Sequence, residues 1–134
     1  MAYNLNEKIA DVNADGLFSD TQPAALTRAK TIRKLGTAGT LARGTIMAIS
    51  SGSAGDGKLV VLGTSAASNE SLTPDCVLAD DVEVGTTDDV KVVAYISGCF
   101  DPEHVTVATG YTVTAADYDA MRVRNILFKD AQND

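Results

Sequence analysis

The segment Asp11-Val-Asn13-Ala-Asp15-Gly16 has the spacing of a calcium-binding loop. Loops of the EF-hand or dockerin type wrap Ca²⁺ with oxygen-bearing side chains at their first, third and fifth positions, and they place glycine at the sixth. The twelfth position here is Gln22, where such loops carry a bidentate glutamate. Because asparagine, aspartate and glycine are also common turn residues, we interpret the segment as a polar turn and predict no metal site.

A second cluster, Asp101-Pro-Glu103-His104, places two carboxylates beside the only histidine of the chain. Such a cluster could hold part of a metal site or form an acid–base pair. No further ligand follows at a useful spacing, so we interpret the cluster as a surface turn after Phe100. The pairs Asp80-Asp81 and Asp88-Asp89 flank predicted strands, and we interpret them as solvent-facing charges that discourage edge-to-edge aggregation.

The remaining sequence offers no complete catalytic motif. Asp56-Gly57-Lys58 lies in a glycine-rich stretch, but Leu59 stands where a phosphate-binding loop carries serine or threonine. A nucleophile elbow and a dinucleotide-binding fingerprint are also missing from the sequence. We therefore predict that the chain is not an enzyme, has no catalytic residues and needs no cofactor.

Cys76 and Cys99 are the only cysteines. They could form one disulfide bond, but the N-terminus has no signal-peptide pattern, so we expect two free, partly buried thiols. No stretch approaches the roughly 20 apolar residues needed to cross a membrane. We expect the protein to stay in the compartment where it is made and to have no contact with a membrane.

Size and composition favour one small β-rich domain. The chain has 134 residues, eleven glycines and no tryptophan, and aromatic residues make up only 5% of it. The core must therefore be aliphatic, while the glycines and many threonines favour strands joined by tight turns.

Charge is distributed unevenly along the chain. Residues 21–50 carry five basic and no acidic side chains, whereas residues 51–134 carry five basic and fourteen acidic ones. The acidic body argues against direct binding of nucleic acid. Two interpretations of the basic stretch stay open, namely a surface for an acidic partner or neighbouring subunit and an ordinary solvated face; its members are Arg28, Lys30, Arg33 and Lys34.

The chain divides into an arm, residues 1–24, and a β-rich domain, residues 25–134. Spaced apolar side chains in the arm follow no clear period, and we predict that they bind a partner as an extended strand. They are Tyr3, Leu5, Ile9, Val12, Leu17 and Phe18.

Local patterns predict the main elements of the domain. Residues 25–35 are compatible with either a helix or a strand. We expect Gly36–Gly39 to form a turn, Gly63–Pro74 to form a loop, and strands at Thr45–Ile49, Lys58–Leu62, Cys76–Leu78, Val82–Val84, Lys91–Ile96 and Ile126–Lys129. Lys91–Ile96 has apolar residues at both parities, which predicts a central strand that is buried on both faces and closed by Ser97-Gly98.

A helix is expected over Ala115–Val123 with Thr114 as its N-cap. Its spacing would place Ala116, Ala120 and Val123 on one apolar face.

An ordered set of short segments resembles the small head decoration proteins of tailed bacteriophages, the family of the lambda capsid-stabilising protein. The segments run from Leu17 to Lys129 and are patterns of packing and turns. They are Leu17-Phe18 with Pro23, Thr31-Ile32 before Gly36, Leu41-Ala-Arg43-Gly44-Thr-Ile46, Cys76-Val-Leu78-Ala-Asp80-Asp81-Val82, Val92-Val93-Ala-Tyr95-Ile-Ser-Gly98, and the C-terminal helix with Ile126-Leu-Phe-Lys129.

The resemblance implies a mainly β fold, a small β-barrel or β-tulip-like domain with one short C-terminal helix and an extended N-terminal arm. It favours a strand over Ala29–Leu35. It also implies a homotrimer that binds the major capsid protein at threefold positions of the expanded head, on the virion exterior, after synthesis in the host cytoplasm. Two alternative hypotheses are another virion component, such as a tail or connector subunit, and a small calcium-dependent binding module.

Overall fold

The computed structural model describes residues 16–20 and 22–129 of the chain. Within them the chain forms nine strands and one helix. In chain order these are β1 Phe18–Asp20, β2 Leu26–Ile32, β3 Gly39–Leu41, β4 Ile46–Ser51, β5 Leu59–Val61, β6 Ser71–Leu78, β7 Val82–Val84, β8 Val90–Phe100, α1 Ala115–Val123 and β9 Ile126–Phe128.

Five of the strands close into a barrel. Strand β8 pairs with β2, β2 with β5, β5 with β4, β4 with β6, and β6 returns to β8. All of these pairs are antiparallel except β2–β5, which is parallel and consists of the single pair Ile32–Leu59. The expected fold class, a small β-barrel with one short C-terminal helix, is therefore confirmed.

Strand β8 connects the barrel to the rest of the domain. Beyond the barrel, its last residues pair with β1 on one edge and with β9 on the other. The strand was expected to close at Gly98, but it continues to Phe100 because Gly98 adopts a φ of +146° that only glycine takes readily. A Cβ at this position would also lie 3.1 Å from the ring of Phe18.

Two apolar clusters lie on opposite faces of the barrel strands. Side chains from all five barrel strands form one cluster, which fills the barrel and includes Ile32, Met47, Leu59, Leu78 and Ala94. The second cluster lies between the outer wall of β4, β5 and β6 and the covering elements, and it includes Phe18, Phe100, Met121, Ile126 and Tyr95. Alternate residues of one strand serve different clusters because side chains alternate across a sheet.

The helix has the predicted bounds, and a capping box explains its start. The hydroxyl of Thr114 accepts the backbone N–H of Asp117, and the carboxylate of Asp117 accepts the N–H of Thr114. The predicted apolar face was wrong, however: Met121 is the buried residue, while Val123 is 86% exposed. Tyr118 and Met121 face the second cluster because the helix lies against β6 and β9 with that side.

Several strand boundaries differ from the predictions. Strand β2 covers Leu26–Ile32 instead of Ala29–Leu35. It ends at Ile32 because the N–H groups of Arg33 and Leu35 donate to the carbonyls of Leu59 and Gly85 and not to β8. Strand β6 begins at Ser71, inside the predicted loop, where it pairs with the end of β4. Strand β3 begins at Gly39, the last residue of the predicted turn, and pairs with β7.

Strand β8 is not buried on both faces over its first half. Val93 is 44% exposed and Lys91 is also exposed, because no described element covers their side of β8. Among the described residues, no helix has the length and apolar character needed to span a membrane.

Candidate functional site

Leu17 and Phe18 belong to the core of the domain, which corrects their assignment to a partner-binding arm. Their exposed fractions are 1% and 7%, and the N–H of Asp101 donates to the carbonyl of Leu17 at 2.8 Å. The ring of Phe18 stacks on Phe100 and meets Tyr95 edge-on, with both centroid distances at 4.9 Å. The other predicted arm residues, Tyr3, Leu5, Ile9 and Val12, lie outside the described residues.

Arg43 contacts Phe18 and links it to β8. Its guanidinium carbon lies 5.8 Å from the ring centre of Phe18 and 5.4 Å from that of Tyr95. The same group donates to the hydroxyl of Tyr95 at 2.6 Å and to the carbonyl of Ala79 at 3.2 Å. A planar cation between two aromatic rings therefore ties the start of the domain to β8.

Leu17 stands at the seventh position of the calcium-type spacing, and its backbone carbonyl is bonded within the domain. The seventh position of such a loop would offer the carbonyl of Leu17 to the metal, but this carbonyl accepts a hydrogen bond from Asp101. Strand β1 also lies where the exiting helix of an EF-hand would begin. Asp11, Asn13 and Asp15 themselves lie outside the described residues.

The basic stretch does not form one partner-facing set. The ammonium of Lys30 lies 3.0 Å from the buried carboxylate of Asp75, which also binds Arg124 at 3.0 Å. The guanidinium of Arg33 binds two carboxylates, those of Asp56 and Glu70. Both side chains are thus engaged within the domain, which fits neither the partner surface nor the ordinary solvated face that the sequence left open.

The other two basic residues remain candidates for partner contact. Arg28 and Lys34 are exposed, and the charge of Lys34 is one of the causes that lower the pKa of Asp89. The backbone N–H of Lys34 donates to Asp89 at 2.8 Å, so its position is fixed while its side chain stays exposed.

Arg33, Asp56 and Glu70 form a hydrogen-bonded cluster of charges, which we call the Arg33 cluster. The carboxylate of Glu70 accepts the N–H of Ala67 at 3.0 Å, the hydroxyl of Ser50, and the guanidinium of Arg33 at 2.5 Å. These contacts lower the pKa of Glu70 to about 2. The pKa of Asp56 is also lowered to about 2, mainly by its hydrogen bond with Arg33. Because every oxygen faces a fixed donor, the cluster joins loops and leaves no group poised for proton transfer.

Asp101 and His104 form a turn contact. Asp101 is buried and accepts the N–H of Glu103 at 2.9 Å, and its carboxylate lies 3.1 Å from Nδ1 of the half-exposed His104. Among the described residues there is no group of three metal-ligating side chains. The contact therefore secures the turn that follows β8.

Both cysteines are free and buried in the structure. Cys76 lies in the cluster that fills the barrel, and its burial raises its pKa above the usual range of a thiol. Cys99 lies beside β1, where its sulfur is 3.4 Å from the hydroxyl oxygen of Ser19.

A shallow groove of about 640 Å³ lies between α1, β9 and β1. Apolar side chains, including Tyr118, Leu127 and Phe128, form much of its lining. Its charged rim residues are paired with one another, Arg122 with Asp119 and Lys129 with Asp20. Among the described lining residues the charges are thus used in ion pairs with each other, unlike the polar groups that converge on a bound substrate.

A comparison with protein-family models gave no match, and neither did a comparison with curated protein sequences. A functional proposal for this chain therefore rests on its own residues and their geometry.

Proposed function

We propose that the chain is a structural decoration protein of a tailed-bacteriophage head. It binds the major capsid protein on the exterior of the expanded shell as a homotrimer at threefold positions, and it stabilises the shell against the pressure of packaged DNA. The proposal rests on the ordered segments that resemble this family. The observation that carries it furthest is the closed barrel followed by a capped helix and a last strand, because the resemblance implied that order of elements.

The charges of the described chain support a structural role. The buried carboxylates of Asp75 and Asp101 face fixed partners within the domain. The exposed acids lie on the body of the domain and need not approach DNA.

Binding at a symmetry axis suits a small protein with modest contacts. A trimer touches several shell subunits at once, so each additional contact forms at a high effective concentration. The segment before Gly16 is the part that we assign to the shell, by addition of a strand to a capsid sheet. Leu17 and Phe18 then act as its anchor in the domain, because their side chains are already buried there.

Deletion of residues 1–14 tests this role. The truncated chain keeps Gly16, Leu17 and β1, so it should fold with the unfolding temperature of the full chain while losing its binding to expanded, undecorated shells. Co-sedimentation with shells followed by electron microscopy measures the binding. The full chain is the control, and it should coat the shell at threefold positions.

Two outcomes would contradict the proposal. If the full chain fails to coat expanded shells of its phage, the decoration role is wrong. If it is found only at the tail or connector, the alternative virion role replaces it. Unchanged shell binding by the truncated chain would refute the role of the N-terminal segment alone.

A further inference from the structure

The sheet formed by β1, β8 and β9 carries an open groove on the face that points away from the second cluster. Cys99 of β8 and Leu127 of β9 are paired in the ladder, so their side chains point to the same side of this sheet. Phe100 points to the other side, into the second cluster. Leu127 is half-buried and, unlike Phe128, packs against neither apolar cluster of the described residues. Its side chain instead lines the groove of about 640 Å³ between α1, β9 and β1, which we call the terminal groove.

The first described residues lie at the margin of the terminal groove. Pro102 lines the groove and belongs to the turn that follows β8. In the same turn, the N–H of Asp101 donates to the carbonyl of Leu17 at 2.8 Å. The ring of His104 lies against Gly16, where a Cβ would be 3.3 Å from Nε2. The fifteen residues before Gly16 therefore leave the described domain beside one wall of the groove.

These fifteen residues have the length and the apolar side chains to fill the groove. An extended chain from Gly16 back to Ile9 reaches roughly 25 Å. The segment carries four large apolar side chains, Tyr3, Leu5, Ile9 and Val12. Because the segment is tethered at the margin of the groove, it has a high effective concentration there and needs only a modest contact to dock.

The other end of the chain is a poorer occupant of the groove. Lys129 also lies near this turn, since its N–H donates to the carbonyl of Phe100 at 2.9 Å. The five residues that follow Lys129 are polar except for Ala131. The charges on the rim of the groove form ion pairs with each other, so the rim does not select a charged ligand.

We infer that the segment before Gly16 folds back in the free protein and places Ile9 and Val12 in the terminal groove, against Leu127. The inference goes beyond the proposed function, because it concerns the protein before it meets a shell. Under that function, the shell and the groove compete for the same segment. A weakly docked terminal segment opens before the domain unfolds, so deletion of residues 1–14 should still leave the unfolding temperature unchanged.

Trypsin tests the contact, because Lys8 is the only basic residue before Arg28. Cleavage after Lys8 requires the segment to leave the groove, so its rate follows the fraction of open molecules. Leu127→Asp places a charge in the groove and should raise this rate at least about tenfold. Val93→Asp makes a similar replacement at a position on the barrel that is 44% exposed, and it should leave the rate unchanged. Mass spectrometry of the product that begins at Ile9 measures the rate.

A second pair of variants leaves the domain itself unaltered. Val12→Asp replaces an apolar side chain of the segment and should raise the rate of cleavage after Lys8 to a similar extent. Asn13→Asp adds the same charge at the next position and should not change the rate. Circular dichroism checks the fold of every variant. For the unaltered chain, the rate should stay constant on about hundredfold dilution, because the tether fixes the effective concentration.

The inference is overturned if the unaltered chain is cleaved after Lys8 as fast as folded Leu127→Asp, or if Val12→Asp and Asn13→Asp are cleaved at the same rate. Protection that disappears on dilution would also overturn it and would assign the groove to a second copy. No shell enters this assay, so its failure leaves the decoration role standing. A protected segment in a chain that does not coat expanded shells would support the groove contact and refute the decoration role.

Discussion

Glu70 keeps its negative charge although its side chain is only 3% exposed. The N–H of Ala67, the hydroxyl of Ser50 and the guanidinium of Arg33 all favour the charged form, and they lower its pKa from 4.5 to about 2. A carboxyl group whose pKa is lower in the folded chain stabilises the fold above its unfolded pKa. That contribution is lost as the pH falls toward the folded pKa.

Glu70→Gln should therefore change how the unfolding temperature depends on pH. The unfolding temperature of the unaltered chain should fall as the pH is lowered from 4.5 to about 2. Over this interval Glu70 takes up a proton when the chain unfolds. In the variant this part of the loss should be missing, so the difference between the two proteins should be largest near neutral pH and shrink below pH 4.5. Thermal unfolding at a series of pH values measures it, and parallel curves across this interval would contradict the assignment.

Among the individual elements, β1 contributes more to the packing of the core than its three residues would suggest. It brings the ring of Phe18 against Phe100 and Tyr95, and it pairs with the last residues of β8. The domain thus includes Leu17, and a truncation that removes residues 1–20 would take away part of the core.

Phe18→Ala should destabilise the domain by about 3 kcal/mol or more, because it removes a buried aromatic ring and leaves a cavity. Urea unfolding followed by circular dichroism measures the change in the free energy of unfolding. Val123→Ala is the matched control, and its effect should stay within about 0.5 kcal/mol because Val123 is 86% exposed. A small effect of Phe18→Ala would mean that β1 is not part of the stable core.

The molecule as a whole is organised around β8, which contributes Ala94 to the cluster that fills the barrel and Tyr95 and Phe100 to the second cluster. Because one continuous strand passes through both clusters, neither can lose its packing without disturbing the other. We expect both clusters to unfold in one cooperative transition.

The two buried thiols report on this cooperativity. Cys76 lies in the cluster that fills the barrel, and Cys99 lies beside β1, near the second cluster. Both should be protected from a thiol reagent in the native protein and become labelled together as urea unfolds the chain, as mass spectrometry of the labelled peptides would reveal. Labelling of Cys99 at urea concentrations that leave Cys76 protected would instead indicate separate opening of β1 and β9.

Local sequence signals were sufficient for some of this architecture. The helix over Ala115–Val123 could be predicted because its signals, Thr114 and Asp117, lie within one turn of its start and bond to each other. The strand positions of β4, β5 and β7 also followed from short apolar runs bounded by turn residues. The lack of a complete catalytic motif could likewise be read directly from the residues.

Contacts between distant parts of the chain decided the rest. Leu17 and Phe18 lie in a segment whose sequence predicts an extended arm. They are buried because β8, more than seventy residues later, offers an edge for pairing and two aromatic rings for packing. Lys30 has the sequence context of a free basic stretch, yet Asp75 reaches it across the barrel. Pairing, burial and charge neutralisation depend on which residues meet in space. A linear pattern records only neighbours along the chain, so these assignments required the closed barrel.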